Sequence, residues 1–347
     1  MAPAQVSCCD SSLFSSAGAP RPFRSLFDKD RIEWPEPIQR VQSIAERGIK
    51  HLPPTYVRPV EERPSGHVLA EEKIPLIDLS GLDNERREKT MEEISNACKQ
   101  WGFFQLINHG MSTELLNAGR DVSRRFFQLP LEEKQKHAND PKTYVGYGSR
   151  TGELPRLEFK TMPVMKEYCN GAVQVCRTLL SALSQNLDLP PKYLEQAFGG
   201  EEDIGMCVRV NYHPVCPQPD LTFGLSPHSD PGGITILLQN DVSGLQVRKG
   251  DYWVPVRPVP DALIVNLGDQ IEILTNGIYK SVEHRSIVND TNERMSIVIF
   301  CNPCGEKKVG PAKDLIDGSN PVKYKCMTFN EYRMFIRTTG LKGKSYV

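Results

Sequence analysis

Residues 206–212 (MCVRVNY), 233–238 (GITILL), 244–248 (GLQVR), 253–256 (WVPV), 262–267 (ALIVNL), 280–288 (KSVEHRSIV) and 294–301 (RMSIVIFC) are short runs rich in β-branched and apolar residues. Such residues favour strands, and the Gly, Pro, Asn and Asp between the runs supply turns. Lys249-Gly250-Asp251 is a hairpin signal. Short strands at this regular spacing argue for a jelly-roll or sandwich barrel.

Working outward, the flanks read as helices. Upstream, residues 26–72 are broken by Pro35, Pro37, Pro53, Pro54, Pro59 and Pro64 around one helical stretch at 38–48, the texture of an arm wrapped over a core. Residues 73–79 alternate as a strand. Residues 85–100 then place Met91, Ile94, Ala97 and Cys98 on one helical stripe, and a second strand follows at 103–108. Ser112 can cap a helix running to about residue 128, with a charged helix after Pro130. Met165, Cys169, Ala172, Val173, Cys176, Leu179, Leu180, Leu183 and Leu187 recur at steps of three and four, which predicts the longest amphipathic helix. Phe329, Tyr332, Phe335 and Ile336 predict a C-terminal helix over 328–338. The class is α+β. The organisation expected is a disordered leader at 1–25, a helical and strand region at 26–200 packing on the core, and the β core with its C-terminal helix at 201–347.

Composition excludes several functions. The 347 residues carry 42 Lys plus Arg against 43 Asp plus Glu, a net of −1, so there is no field to hold a nucleic acid or an anionic membrane surface. The longest uninterrupted apolar run, residues 297–301, is too short to cross a bilayer. The ten cysteines are scattered through a long chain with no apolar secretory leader, and read as reduced thiols of a cytoplasmic protein. Oligomeric state is not legible.

His228 and Asp230 lie two residues apart, so on an extended segment both point to one side of the sheet. His284 stands in another strand-like run. Two histidines and one carboxylate on one flank of a metal leave open positions opposite, the arrangement suited to non-haem Fe(II) oxygen chemistry. Alone, a His-x-Asp is cheap to find by chance. Arg294 and Ser296 strengthen it: they share one face of an apolar strand, where an arginine is costly without an anion to pair. A dicarboxylate ligand would answer it. Cys301-Asn302-Pro303-Cys304 has no second pair to complete a zinc site, and Pro231-Gly232-Gly233 has no phosphate-loop lysine; both read as structural.

Taken together, His228-Ser229-Asp230, His284 and Arg294-Met295-Ser296 resemble the Fe(II)- and 2-oxoglutarate-dependent dioxygenases of plants. Asn211-Tyr212-His213-Pro214 with Cys216-Pro217 is similar to the family's motif before the metal pair. Ile74-Pro75-Leu76-Ile77-Asp78-Leu79, Trp101-Gly102-Phe103-Phe104-Gln105 and Asn108-His109-Gly110 match its N-terminal signature, with Asp78 structural. The resemblance implies a double-stranded β-helix core, Fe(II) on His228, Asp230 and His284, and 2-oxoglutarate held by Arg294 and Ser296 with Asn211 and His213. It implies dioxygen as the second substrate, ascorbate as reductant, and no catalytic side chain beyond the metal ligands. Within the family, residues 34–43 and 331–337 look most like the jasmonate-induced oxygenases, which hydroxylate jasmonic acid. Arg333 and Arg337 lie four apart on one helix face and repel unless an anion answers them. With Arg209 they would clamp a small carboxylic acid, against Phe300 as an apolar wall and Tyr147 in the glycine-rich segment; the other reading, which fits Arg333 equally well and Arg209 in its apolar strand less well, is a solvated, salt-bridged surface face.

Two departures stand out. His213 occupies a position where the family usually has Tyr, whose hydroxyl helps bind the cosubstrate's metal-side carboxylate. After Arg150 the chain passes almost directly into its long helix, where the family has a further strand and loop. The alternatives to a jasmonate hydroxylase are therefore the same reaction on a flavonoid, salicylate or gibberellin, or a catalytically impaired binding protein.

Overall fold

A computed structural model of the protein describes residues 41–64, 66, 68–137, 163–200 and 204–339. Its first half contains α1 (Val41–Ala45), β1 (Leu76–Asp78), α2 (Arg87–Gln100), β2 (Phe103–Ile107), α3 (Thr113–Gln128), α4 (Leu131–Gln135), α5 (Pro163–Gln185) and α6 (Tyr193–Phe198). The second contains β3 (Gly205–His213), β4 (Leu225–His228), β5 (Ile234–Gln239), β6 (Leu245–Lys249), β7 (Tyr252–Pro255), β8 (Leu263–Leu267), α7 (Asp269–Leu274), β9 (His284–Ser286), β10 (Arg294–Asn302), β11 (Lys308–Val309), β12 (Met327–Thr328) and α8 (Phe329–Thr339).

The strands make a six-stranded sheet, β1-β2-β8-β5-β10-β3, and a four-stranded sheet, β4-β9-β6-β7, beside the small β11-β12 pair. All pairings are antiparallel except that of β1 with β2. Two strands from the first half thus complete the larger sheet.

Alternation sorts each strand onto two cores. On one face of the large sheet Ile236, Leu238, Val265, Ile297 and Ile299 join Leu116, Tyr168, Ala172 and Leu179 of α3 and α5. On the other, Phe103, Leu237, Ile264 and Val298 join Leu245, Val247, Val254 and Val256 of the small sheet. Each fully buried aliphatic side chain in these cores contributes about 1.5–3 kcal/mol. Two sheets closing on one apolar seam is the jelly roll that the strand spacing predicts, and α3 and α5 cover its outer face. Residues 294 and 296 share the inner face with Val298, so Arg294 and Ser296 look into the seam between the sheets.

Local signals hold at several ends. Ser112 caps α3, its hydroxyl accepting from Leu115 N at 3.2 Å. Asp78 is structural, accepting from Ser80 and Asn108 and pairing with Arg86 at 3.1 Å. The run expected as a strand over 280–288 narrows to β9, and β4 and α7 arise where no strand or helix is expected. Pro227 lies inside β4, whose register against β9 shifts between Leu225 and His228. Cys98, Cys169, Cys176, Cys207, Cys216, Cys301 and Cys304 are free thiols; Cys326 departs from the all-reduced expectation, being disulfide-bonded. No helix among the described residues is long and apolar enough to cross a membrane.

Candidate active site

His228 ends β4 and His284 begins β9, and the two are direct cross-strand partners with ring centroids 4.3 Å apart. Asp230 follows β4 by two residues. Its Oδ1 lies 3.6 Å from His228 Nε2 and 3.7 Å from His284 Nε2, and the three donor atoms all fall within 4.8 Å of one another.

Every other polar atom of this trio is already committed. His228 Nδ1 lies 2.8 Å from Ser226 O and His284 Nδ1 3.2 Å from Val282 O. A carbonyl only accepts, so each Nδ1 carries a proton and each Nε2 is the nitrogen left to face the site. Asp230 Oδ2 accepts from Thr235 Oγ1 at 2.6 Å and Asn266 Nδ2 at 2.8 Å, which turns Oδ1 toward the imidazoles. Burial, then the neighbouring His284, pushes His228 down to about 4. Burial alone would raise Asp230, but His284, His228 and the Thr235 and Asn266 hydrogen bonds outweigh it and hold the carboxyl below the usual range. Two imidazole Nε2 atoms and one carboxylate oxygen form the donor set a divalent first-row metal takes with positions to spare, so the residues present fit such an ion. The Phe103 ring, 5.1 Å from that of His284, shields its flank.

Arg294 supplies the second element. It is 2% exposed, donates to Gln239 Oε1 at 3.0 Å and to Ser286 Oγ at 3.4 Å, and has no carboxylate within ion-pair distance among the described residues. Its Nε and Gln239 Nε2 are buried without a hydrogen-bond partner. Burial lowers its pKa to about 10, which leaves it cationic at neutral pH. Gly244 makes room for it, since a Cβ there would lie 2.7 Å from Arg294 Cδ. A desolvated cation beside spare donors is a cradle for an anion.

The strand register assembles the rest. Ser296 pairs with Asn211 on one side and Gln239 on the other, and Asn211 Nδ2 reaches Ser296 Oγ at 3.3 Å. His213 pairs with Arg294 across the β3–β10 ladder, and the charge of that guanidinium bears on its ring. The reason is strand geometry, because a one-to-one antiparallel register leaves His213 no other neighbour on β10. Its ring packs against Gly224, where a Cβ would lie 2.9 Å away, and its Nδ1 is buried without a partner.

Of the residues expected to contact substrate, Arg209 shares the β3 face of Asn211 and His213 and lies 5.7 Å over the Phe300 ring. Its charge also bears on His228. Arg333 on α8 lies 5.5 Å over Phe329, with Nη1 3.4 Å from Asn330 Oδ1. Arg337 is one turn further along α8, its side chain outside the described set, and Tyr147 and the shortened stretch after Arg150 lie outside the described residues. Sequence reasoning missed Thr235, Asn266 and Gln239, polar residues inside apolar strands whose two-residue spacing from Leu237 places Thr235 and Gln239 on the inner face.

Comparison with known proteins agrees with this geometry. Residues 204–303 match the model of the 2OG-Fe(II) oxygenase superfamily, and residues 74–175 that of the non-haem dioxygenase in morphine synthesis N-terminal family. The chain is 47% identical to jasmonate-induced oxygenase 2 of Arabidopsis thaliana, over 91% of this chain and 93% of that protein. It is 38% identical to oxoglutarate-dependent flavonoid 7-O-demethylase 1 of Ocimum basilicum, over 89% and 90%. The crystal structure of JOX2 in complex with 2OG, Fe and JA superposes with a TM-score of 0.81 at 47% identity, over 90% of this chain and 97% of that one. With jasmonate-induced oxygenase 3 of Arabidopsis thaliana, 45% identical over 91% of this chain and 97% of that protein, the alignment runs to 351 positions, so that relative carries residues this chain lacks.

Proposed function

The chain belongs to the 2OG-Fe(II) oxygenase superfamily, and from that membership we propose that it hydroxylates a small carboxylic acid of the jasmonate type. The observation that carries the reading is Arg294, buried and without a carboxylate partner among the described residues, on the sheet face that also holds Thr235, the residue that fixes Asp230.

In this reading His228, Asp230 and His284 hold Fe(II). With 2-oxoglutarate and dioxygen, the metal supplies the oxidation that converts a substrate C–H to C–OH as the cosubstrate leaves as succinate and carbon dioxide. Arg294 and Ser296 bind the distal carboxylate of 2-oxoglutarate, a charge-assisted contact that the spare Gln239 amide and His213 can extend. Asn211 orients Ser296, and Thr235 with Asn266 keeps Asp230 aimed at the metal. Leu237, Val298 and Phe103 exclude water from the same face.

For the acid itself, the support is Arg209 stacked over Phe300: a cation against an apolar ring suits a molecule with one carboxylate and a hydrocarbon body. In the same reading Arg333 of α8 adds a second cation for the carboxylate. The complex of JOX2 with JA, at 47% identity, supports the same substrate class. Neither the impaired-protein alternative nor the flavonoid alternative is favoured, because the metal trio and anion cradle are intact and the flavonoid relative stands further off at 38%.

The test is direct. Purified protein with Fe(II), 2-oxoglutarate and ascorbate should convert jasmonic acid to a hydroxylated product with matching succinate, and His228→Ala should abolish both. Succinate release with salicylate, a flavonoid or a gibberellin but not with jasmonic acid would retire the substrate assignment and leave the reaction class standing.

A further inference from the structure

Asp269, the first residue of α7, is 6% exposed and does not belong to the metal trio. Its carboxylate nevertheless joins three segments of the site. Oδ2 accepts from Tyr332 Oη of α8 at 2.8 Å and from Ser229 Oγ at 3.3 Å, and Oδ1 accepts from Ser281 Oγ at 2.7 Å. Ser229 stands between the two ligands His228 and Asp230. Ser281 is three residues ahead of His284. Tyr332 directly precedes Arg333.

The backbone repeats the connection. Asp269 N donates to Asp230 O at 2.8 Å and Gln270 N to Gly232 O at 2.9 Å, while Gln270 Nε2 reaches Pro231 O at 3.2 Å. Gly268 approaches so closely that a Cβ there would lie 2.3 Å from Gly232 O and 2.9 Å from Asp230 O. The start of α7 is therefore stitched to the loop that carries the metal carboxylate.

A buried carboxylate that accepts from three hydroxyls carries a desolvation cost that an apolar residue of similar size avoids. What it provides is simultaneous position, with one acceptor ordering several donors at once. We propose that Asp269 is a positioning residue that ties the seating of helix α8, through the Tyr332 hydroxyl, to the arrangement of the metal ligands, through Ser229 and Ser281. The substrate helix and the metal site are then one coupled unit, and coupling of this kind is reciprocal. The inference deepens the proposed function and rests on its assignment of the metal trio.

The experiment titrates Co(II) into the full-length protein, followed by visible absorption, so that no turnover is required. Tyr332→Phe keeps the ring and removes only the hydroxyl; its Co(II) dissociation constant should rise about 5-fold or more, although the residue touches no ligand. Ser229→Ala, which cuts the other arm, should do the same, and the double variant should lose clearly less than the product of the two. Tyr324→Phe is the control: it breaks the 2.9 Å bond from Tyr324 Oη to Glu272 Oε1 on the same short helix and keeps the hydrogen bonds of Asp269 to Tyr332, Ser229 and Ser281, so Co(II) affinity should stay within about 2-fold. Wild-type affinity in Tyr332→Phe, or losses that multiply in full, would overturn the inference. A wild-type protein that binds no Co(II) would overturn the metal reading and this inference together. The expected affinity losses with no succinate from any acid would sink the oxygenase reading and leave the coupling in place.

Discussion

Arg294 and His213 face one another across the β3–β10 pairing, a guanidinium and a neutral imidazole each keeping one buried ring or guanidino nitrogen without a partner. Among the described residues nothing satisfies either nitrogen, and a dicarboxylate entering beside them would.

Arg294→Met should therefore separate binding from stability. Loss of a desolvated charge that has no counter-ion among the described residues is neutral or stabilising, so the melting temperature without 2-oxoglutarate should hold or rise. Affinity for 2-oxoglutarate should fall by about 2–5 kcal/mol, roughly 30-fold at the least. Thermal scans with and without cosubstrate check both; a lower apo melting temperature would count against the unpaired state.

His213 gives a pH dependence with a definite sign. Burial, then the charge of Arg294, depresses it to about 4, below the ordinary value of about 6.5. The unfolded chain takes up this proton near pH 6.5 while the folded chain resists until about 4, so acid favours unfolding across that window. Its stabilising share is complete above about pH 6.5 and drains as the pH falls toward about 4. His228, also depressed to about 4, adds to the same loss. His213→Phe should flatten part of the acid-side slope of melting temperature in metal-free protein; an unchanged slope would dismiss His213 as a contributor.

Thr235→Val and Asn266→Leu each remove one donor from Asp230 Oδ2. Freed from that side, the carboxylate is less well aimed, and the affinity for Fe(II) or Co(II) should drop about 10- to 100-fold in either variant. A metal-binding isotherm measures this without turnover.

Arg209→Gln should act on the acid alone. If its guanidinium answers the substrate carboxylate, KM for jasmonic acid should rise about 10-fold or more while KM for 2-oxoglutarate stays within about 2-fold. Arg333→Ala should show the same selectivity. Equal changes in both constants would move Arg209 out of the substrate clamp.

The inner face of the barrel was legible because two-residue spacing is a strict rule in strands: Arg294 with Ser296, and Arg209 with Asn211 and His213, each sort as the alternation requires. The caps and long helices at α3 and α5 were legible for the same reason, since their signals are local. β4 was not, because Pro227 and a register shift disguise a four-residue strand. α7 was hidden by its length: six residues, all buried, show no contrast between a wet and a dry face. No local pattern marks its Asp269, and tertiary contacts bring the hydroxyls of Tyr332, Ser229 and Ser281 to it. That His213 stands opposite Arg294 depends on pairing between strands far apart in the chain, which no local pattern encodes.

The larger sheet runs β1-β2-β8-β5-β10-β3, and Phe103 of β2 rests on His284. Expression of the second half by itself would uncover the long apolar flank of β8 and leave a metal-binding imidazole open to water, a template for aggregation and not a minimal enzyme. Chimaeras that exchange front and back halves between relatives should succeed only when the Phe103 side and the His284 side are transplanted as one cassette.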